Sequence, residues 1–188
     1  MISIDNTAKN SSHFGEFLVY APVKKTTVLF AILIFCSAAY ADAKKNLFYI
    51  KRNKNRNQVH YAIRYDEATC KPVGSDPLYG YWINYEVSPT DYEPIGRFEA
   101  MAYGIQSQNL QGNDLTVQLK AFPDRKVRIT FDNSAGCKIT PYILIASKEA
   151  ILKEISVFAI EGLITPTVKY IDISGIIGAV PITERINK

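Results

Sequence analysis

Asn46–Asp66 reads NLFYIKRNKNRNQVHYAIRYD, two amphipathic runs joined by a turn made of Asn, Lys and Arg. Leu47 and Tyr49 fall on one side of the first run, with Phe48 and Ile50 on the other. In the second run Val59, Tyr61, Ile63 and Tyr65 share a side, with His60, Ala62 and Arg64 opposite. Successive side chains of a strand point to opposite faces, so this period of two marks a β-hairpin.

The rest of the chain repeats that grammar. After a turn-rich link carrying Pro72, Gly74 and Pro77, Leu78–Val87 (LYGYWINYEV) is a strand dense in aromatics. It holds the only tryptophan, Trp82. Leu115, Val117, Leu119 and Ala121 alternate with polar residues up to Phe122. A turn at Pro123-Asp124 then leads into the alternating Val127, Ile129 and Phe131, and a second turn spans Asn133–Gly136. Ile139–Ala146, Ile151–Ile160 and Val168–Ser174 are further strands. In the middle one the β-branched Ile155, Val157 and Ile160 decide for strand over helix.

A helix competes only over Glu93–Ala102, where Ile95, Phe98 and Met101 recur at intervals of three and Pro94 suits a first turn. Ala102–Gln108 returns to an extended reading, and the tail from Gly175 to Lys188 is expected to pack as an irregular end. Eight or nine short strands in tight succession predict an all-β fold, a single antiparallel β-barrel or β-sandwich with at most one short helix. Most connections are too short for a parallel crossover.

Composition agrees. A chain of 188 residues suits one domain with its own core. A 47% apolar content against 21% charged residues excludes wholesale disorder, and twelve Tyr with nine Phe favour strands. The net charge of +4 is mild beside the stronger, more clustered basicity usual in nucleic-acid binders, so no nucleic acid is expected as a partner.

Val23–Ala41, VKKTTVLFAILIFCSAAYA, has the three parts of a secretory signal. Lys24 and Lys25 are its positive end, Val28–Phe35 its apolar core, and Ala39-Tyr40-Ala41 its cleavage site before Asp42. The apolar run is well short of the ~20 residues that span a bilayer, so no stable membrane span is expected after cleavage. A lipoprotein signal wants a small residue before its cysteine, and Cys36 follows the bulky Phe35. Met1–Pro22 is polar, carries Asp5 and Glu16, and fits poorly ahead of a signal. It reads as a disordered or misread upstream extension of a bacterial gene that starts at Val23. The expected product is exported, periplasmic or secreted, with residues 42–188 as a single β-domain. Removal of Lys9, Lys24, Lys25, Asp5 and Glu16 lowers its net charge to +3.

The exported part keeps Cys70 and Cys137. In an oxidising compartment they could pair, and closing so long a loop stabilises by roughly 4 kcal/mol in the chain-entropy model. Two separate buried thiols account for them equally well. There is no CxxC, so neither a redox centre nor a zinc site is indicated.

His60 is the one histidine left after cleavage, which excludes multi-histidine metal sites and makes any Ser/His/Asp triad depend on it. No GxSxG, HExxH, GxxxxGK[ST] or GxGxxG occurs. Asn53, Asn55 and Asn57 alternate with Lys54 and Arg56, cations that would repel calcium, so this run is a turn. No metal or cofactor is expected. Six positive charges lie between Lys44 and Arg56, read first as solvated charges that block edge pairing. The sharper reading joins Lys51, Arg52, His60 and Arg64 with Tyr79, Trp82 and Tyr103 as a site for a small anionic ligand.

FYIKRNKNRNQVHYAIRYD, the Pro-bearing link, YGYWINYE, AYGIQ and the closing KYIDISGI together resemble a family of small exported bacterial proteins, domain of unknown function 4833. The resemblance runs from about Asn46 to Ile186 and includes the ITERI end. It implies an exported single-domain bacterial protein and assigns no residue a catalytic role.

Two functions follow as expectations. The first is a non-enzymatic module of the cell envelope, structural or binding a small anionic ligand or an envelope protein through the aromatic strand and basic hairpin. A cavity lined by Tyr79, Trp82 or Tyr103 would favour a small molecule. The alternative is a small hydrolase or transferase using His60 or a tyrosine with nearby arginines, which needs His60 in a cleft beside a carboxylate or hydroxyl.

Overall fold

The structure is a computed structural model that describes residues 42–160, 162 and 166–188. The signal and the upstream extension lie outside the described residues. The described strands in chain order are β1 (Asp42–Arg52), β2 (Gln58–Asp66), β3 (Lys71–Pro72), β4 (Leu78–Ile83), β5 (Tyr92–Pro94), β6 (Ile105–Gln111), β7 (Asp114–Leu119) and β8 (Phe122–Asp132). They continue with β9 (Lys138–Ile145), β10 (Lys148–Ile160), β11 (Thr167–Ile177) and β12 (Val180–Asn187). The one described helix, α1 (Glu99–Tyr103), precedes β6. It is too short to cross a membrane.

All twelve strands belong to one sheet, in the order β5-β4-β2-β1-β10-β9-β8-β7-β6, with β11 and β12 added beyond β10 and β3 beside β2. The hairpin β1–β2 forms as its alternation demands: Phe48, Ile50, Val59, Tyr61 and Ile63 are buried on one side. The asparagines of its turn serve both the turn itself and the later strand β10. Asn53 Oδ1 accepts the Ala159 N–H (2.9 Å), and Asn55 Oδ1 accepts the Asn57 N–H (3.3 Å).

β10 organises the sheet. Lys148–Ile151 pair antiparallel with β9, and Glu154–Val157 pair parallel with β1, while the other edge pairs with β11. One strand thus feeds two arms, β1-β2-β4-β5 and β9-β8-β7-β6. The β10–β11 register shifts between Leu152 and Glu154, where the partner changes, and Gly175 stands opposite Leu152. A bulge bends a strand, and glycine allows the close approach the bend needs. A Cβ on Gly175 would lie 2.5 Å from the Ile151 carbonyl oxygen.

Both arms send side chains into one apolar cluster, including Ile50, Tyr61 and Leu78 from the first and Val117, Ile129 and Ile145 from the second. Leu152, Ile155 and Ile173 complete it from the shared strands. Three further ties join the arms. Cys70 and Cys137 are bonded through their sulfurs, with Cα atoms 5.1 Å apart. The Tyr61 hydroxyl donates to the Tyr103 carbonyl oxygen (2.7 Å). The Gln108 side-chain amide accepts the Leu78 N–H (3.0 Å) and donates to the Leu78 carbonyl (2.9 Å). At Leu78, then, a side chain supplies both bonds a neighbouring strand would have made. The ladder ends at β5 and β6 and does not close into a barrel.

Several expectations are corrected. Twelve described strands replace eight or nine, because β3 and β5 are only two and three residues long and carry no alternation. The tail is not irregular: β12 pairs with β11 from Val180 to Asn187, and Gly178 at φ 61 supplies the turn. Pro181 is tolerated there because no further described strand is paired beyond β12. The helix does not run over Glu93–Ala102. Pro94 sits in β5, and Ile95 packs against Gly80, where a Cβ would lie 2.5 Å from Ile95 Cδ1. Helix begins only at Glu99. Phe98 and Met101 are 82% and 68% exposed, so their spacing was not an apolar helix face. The turn expected at Pro123-Asp124 falls at Lys120-Ala121, with Pro123 inside β8 at a register shift. The β1–β10 pair is parallel in an otherwise antiparallel sheet.

Candidate functional site

The hairpin and β4 form a wall with two chemically distinct sides. Odd and even positions divide them. On the inner side, continuing the buried row of β1, β2 and β4, stand Arg52, Asn57 and Trp82, and Glu93 pairs across from Trp82. With Asn55, Asn84, Glu99 and Tyr103 they line a cleft of about 220 Å³. Arg52, Glu99 and Tyr103 also border a second hollow of about 520 Å³, whose walls are mainly apolar: Phe98, Ala121, Val157, Val168 and Ile171 among them.

Tyr103 divides the two compartments. Its ring meets the Trp82 ring edge-on at 5.3 Å. Burial pushes its hydroxyl pKa upward, while the charge of Arg52 and a hydrogen bond from it pull the other way. The polar compartment balances Arg52 against the carboxylates of Glu93 and Glu99.

Two polar atoms of these residues lack a partner among the described residues. Trp82 Nε1 and Asn57 Oδ1 are both buried and make no hydrogen bond with the described residues. Leaving one such group unsatisfied costs about 1–3 kcal/mol, and both belong to residues that line the same cleft. One is a donor only and the other an acceptor.

The outer side carries a hollow of its own, about 550 Å³, lined by Tyr49, Lys51, Asn55, Arg56, Gln58, His60 and Tyr85. His60 lies between the rings of Tyr49 (5.3 Å) and Tyr81 (5.7 Å) in a stacked ladder. The Tyr81 hydroxyl donates to Asn46 Oδ1 (2.6 Å). The Tyr49 hydroxyl donates to the Glu154 carboxylate, which also receives Lys51 Nζ at 2.7 Å. Burial, then that hydrogen bond and charge, push Tyr49 up to about 12. The ring faces are turned to one another, so this ladder consolidates the sheet. His60 Nε2 meets Gln58 Oε1 at 3.0 Å, and burial lowers its pKa.

The residues singled out in the sequence therefore separate. Arg52, Trp82 and Tyr103 come together in the cleft. Lys51 and His60 are on the opposite side of the wall, as are Arg64 and Tyr79. Arg64 donates to the Asp76 carbonyl (3.0 Å) and lies 5.6 Å over the Tyr79 ring. Asn57, Asn84, Glu93 and Glu99 were not foreseen. For Asn57 a signal existed: it continues the inward parity of Val59 and Tyr61.

The chain belongs to the family described as Domain of unknown function (DUF4833), which matches residues 48–185 and so takes in the whole cleft and the bonded Cys70 and Cys137. No curated protein and no solved structure matches it.

Proposed function

We propose that this domain is a non-enzymatic binding module of the bacterial cell envelope that holds a small ligand in the Trp82–Asn57 cleft. One observation carries the reading: Trp82 and Asn57, each with a buried polar atom that has no partner among the described residues, line one cleft. A binding site keeps such groups unpaired because its ligand pairs them. In this reading the two arms act as the leaves of a β-sandwich whose open end is the site. The secretory pattern of Val23–Ala41 supports the exported setting. The placement of His60 weighs against hydrolysis, since its partner is Gln58 rather than a carboxylate or hydroxyl.

The test is calorimetric titration and thermal melting with a panel of sugars, polyols and amino acids. At least one class should bind saturably and raise the melting temperature, and Asn57→Leu should abolish both effects while the protein still melts cooperatively. If no member of the panel binds, or if Asn57→Leu binds as well as the parent, the reading fails.

A further inference from the structure

We infer that the outer side of the hairpin is a second binding site, separate from the cleft, and that it takes the phosphate or carboxylate group of a small organic anion.

The hairpin register builds the site. Tyr49 stands opposite His60 and Lys51 opposite Gln58, so two facing pairs of side chains share the hollow. The turn adds Asn55 and Arg56. Tyr85, beyond β4, completes the lining, with its ring 6.4 Å from that of His60. Lys51 and Arg56 are cations, and among the described residues no carboxylate lines the hollow. The inner cleft has the opposite balance, with Glu93 and Glu99 against Arg52.

Hydrogen bonding points the same way as charge. The Asn55 side-chain oxygen already accepts the Asn57 N–H, and that of Gln58 meets His60 Nε2. The amide nitrogens of Asn55 and Gln58 remain as donors. Lys51 Nζ reaches Glu154 at 2.7 Å, but that carboxylate also receives the hydroxyls of Tyr49 and Ser156, and an ammonium has three protons to give. Arg56 is exposed, and its guanidinium makes no hydrogen bond or ion pair with the described residues. The acceptors of the hollow are engaged and its donors are left over, which suits a ligand that only accepts. A guanidinium grips phosphate or carboxylate through two parallel bonds, and lysine adds a point charge.

The topology removes the simpler account of these charges. β1 lies between β2 and β10, and β2 lies between β1 and β4, so neither is an edge. Lys51 therefore has no exposed strand edge to keep from pairing.

The probes are glucose 6-phosphate and glucuronate, one for each anionic group, titrated by calorimetry into the protein at low salt. At least one should bind saturably and weaken as sodium chloride is raised, because the cations are open to solvent. Arg56→Gln, a surface change, should melt as the parent does and lose roughly tenfold in affinity for that anion. In the ¹⁵N-labelled protein the Trp82 indole resonance should stay fixed through this titration, since Trp82 lines the inner cleft. Absence of binding by both anions would overturn the inference, as would an Arg56→Gln variant that binds as tightly as the parent or an affinity that salt leaves unchanged. An indole resonance that moves with the anion would place it in the cleft and equally overturn the second site. The cleft is tested by its own panel, so either site can fail without the other.

Discussion

Tyr61 donates its hydroxyl to the backbone carbonyl of Tyr103, 2.7 Å away and 42 residues further along the chain. Tyr61 is fully buried and stacks on Phe48 at 4.8 Å, so its ring is fixed by the core of one arm. Tyr103 ends α1 and forms the partition of the cleft. The bond therefore ties the position of the site to the packing of the core. Tyr61→Phe keeps the ring and removes the donor, leaving the Tyr103 carbonyl without this partner. It should cost about 1–2 kcal/mol in urea unfolding and weaken ligand affinity as the partition loosens. Unchanged stability would mean that the carbonyl finds another partner.

The bond between Cys70 and Cys137 spans 67 residues of sequence and joins the β2–β3 turn to the β8–β9 turn. Constraining so long a loop in the unfolded chain is worth roughly 2–4 kcal/mol. The double replacement of both cysteines by alanine should lower the melting temperature and leave β content by circular dichroism unchanged. A variant as stable as the parent would show that the crosslink contributes nothing to the fold.

Gly175→Ala tests the branch in the sheet. The added methyl would stand 2.5 Å from the Ile151 carbonyl oxygen and 2.8 Å from Ile145 Cδ1. Backbone cannot yield as a side-chain tip can, so β10 and β11 must separate where β10 changes partner. A loss of about 1–3 kcal/mol is expected, with hydrogen exchange rising first around Leu152–Glu154. Protection there equal to the parent's would contradict the account of the bend.

Acid should loosen β12. Glu184 receives two hydrogen bonds from Arg125, each 2.6 Å, and one from the Ala146 N–H. The Arg125 bonds, then the Ala146 bond, hold its carboxyl down to about 2. In the unfolded chain a glutamate titrates near about 4.3, so the folded form binds its proton later on acidification. Its contribution is complete above that unfolded value and is lost as pH falls through the folded one. Thermal melts between pH 5 and 2 should show this loss, and Glu184→Gln should flatten it. The pair is partly solvated, so the effect is modest. A Gln variant with the parent's slope would assign the acid sensitivity elsewhere.

The hairpin was legible because Phe48, Ile50, Val59, Tyr61 and Ile63 alternate into a buried side, and strand pattern is local information. Where alternation is absent the sequence is silent: β5 is three residues around Pro94, and β12 carries Pro181, a residue that reads as a breaker until its edge position is known. The cleft was half legible. Arg52, Trp82 and Tyr103 stood out by residue type, but type does not say which side of a strand a charge takes, so Lys51, His60 and Arg64 were grouped with them although they face the other way. Glu93 and Glu99 reach the site through a turn and a five-residue helix whose course depends on Ile95 packing beneath Gly80, a contact with no counterpart in local pattern.

The most direct test of the cleft uses the fact that the chain has one tryptophan, hence one indole N–H signal. Titrating the ¹⁵N-labelled protein with whichever member of the sugar, polyol and amino-acid panel binds should move the Trp82 indole resonance saturably, with the dissociation constant found by calorimetry. The shift should be lost in Asn57→Leu. An indole resonance that stays fixed while calorimetry reports binding would place the ligand elsewhere and contradict the account.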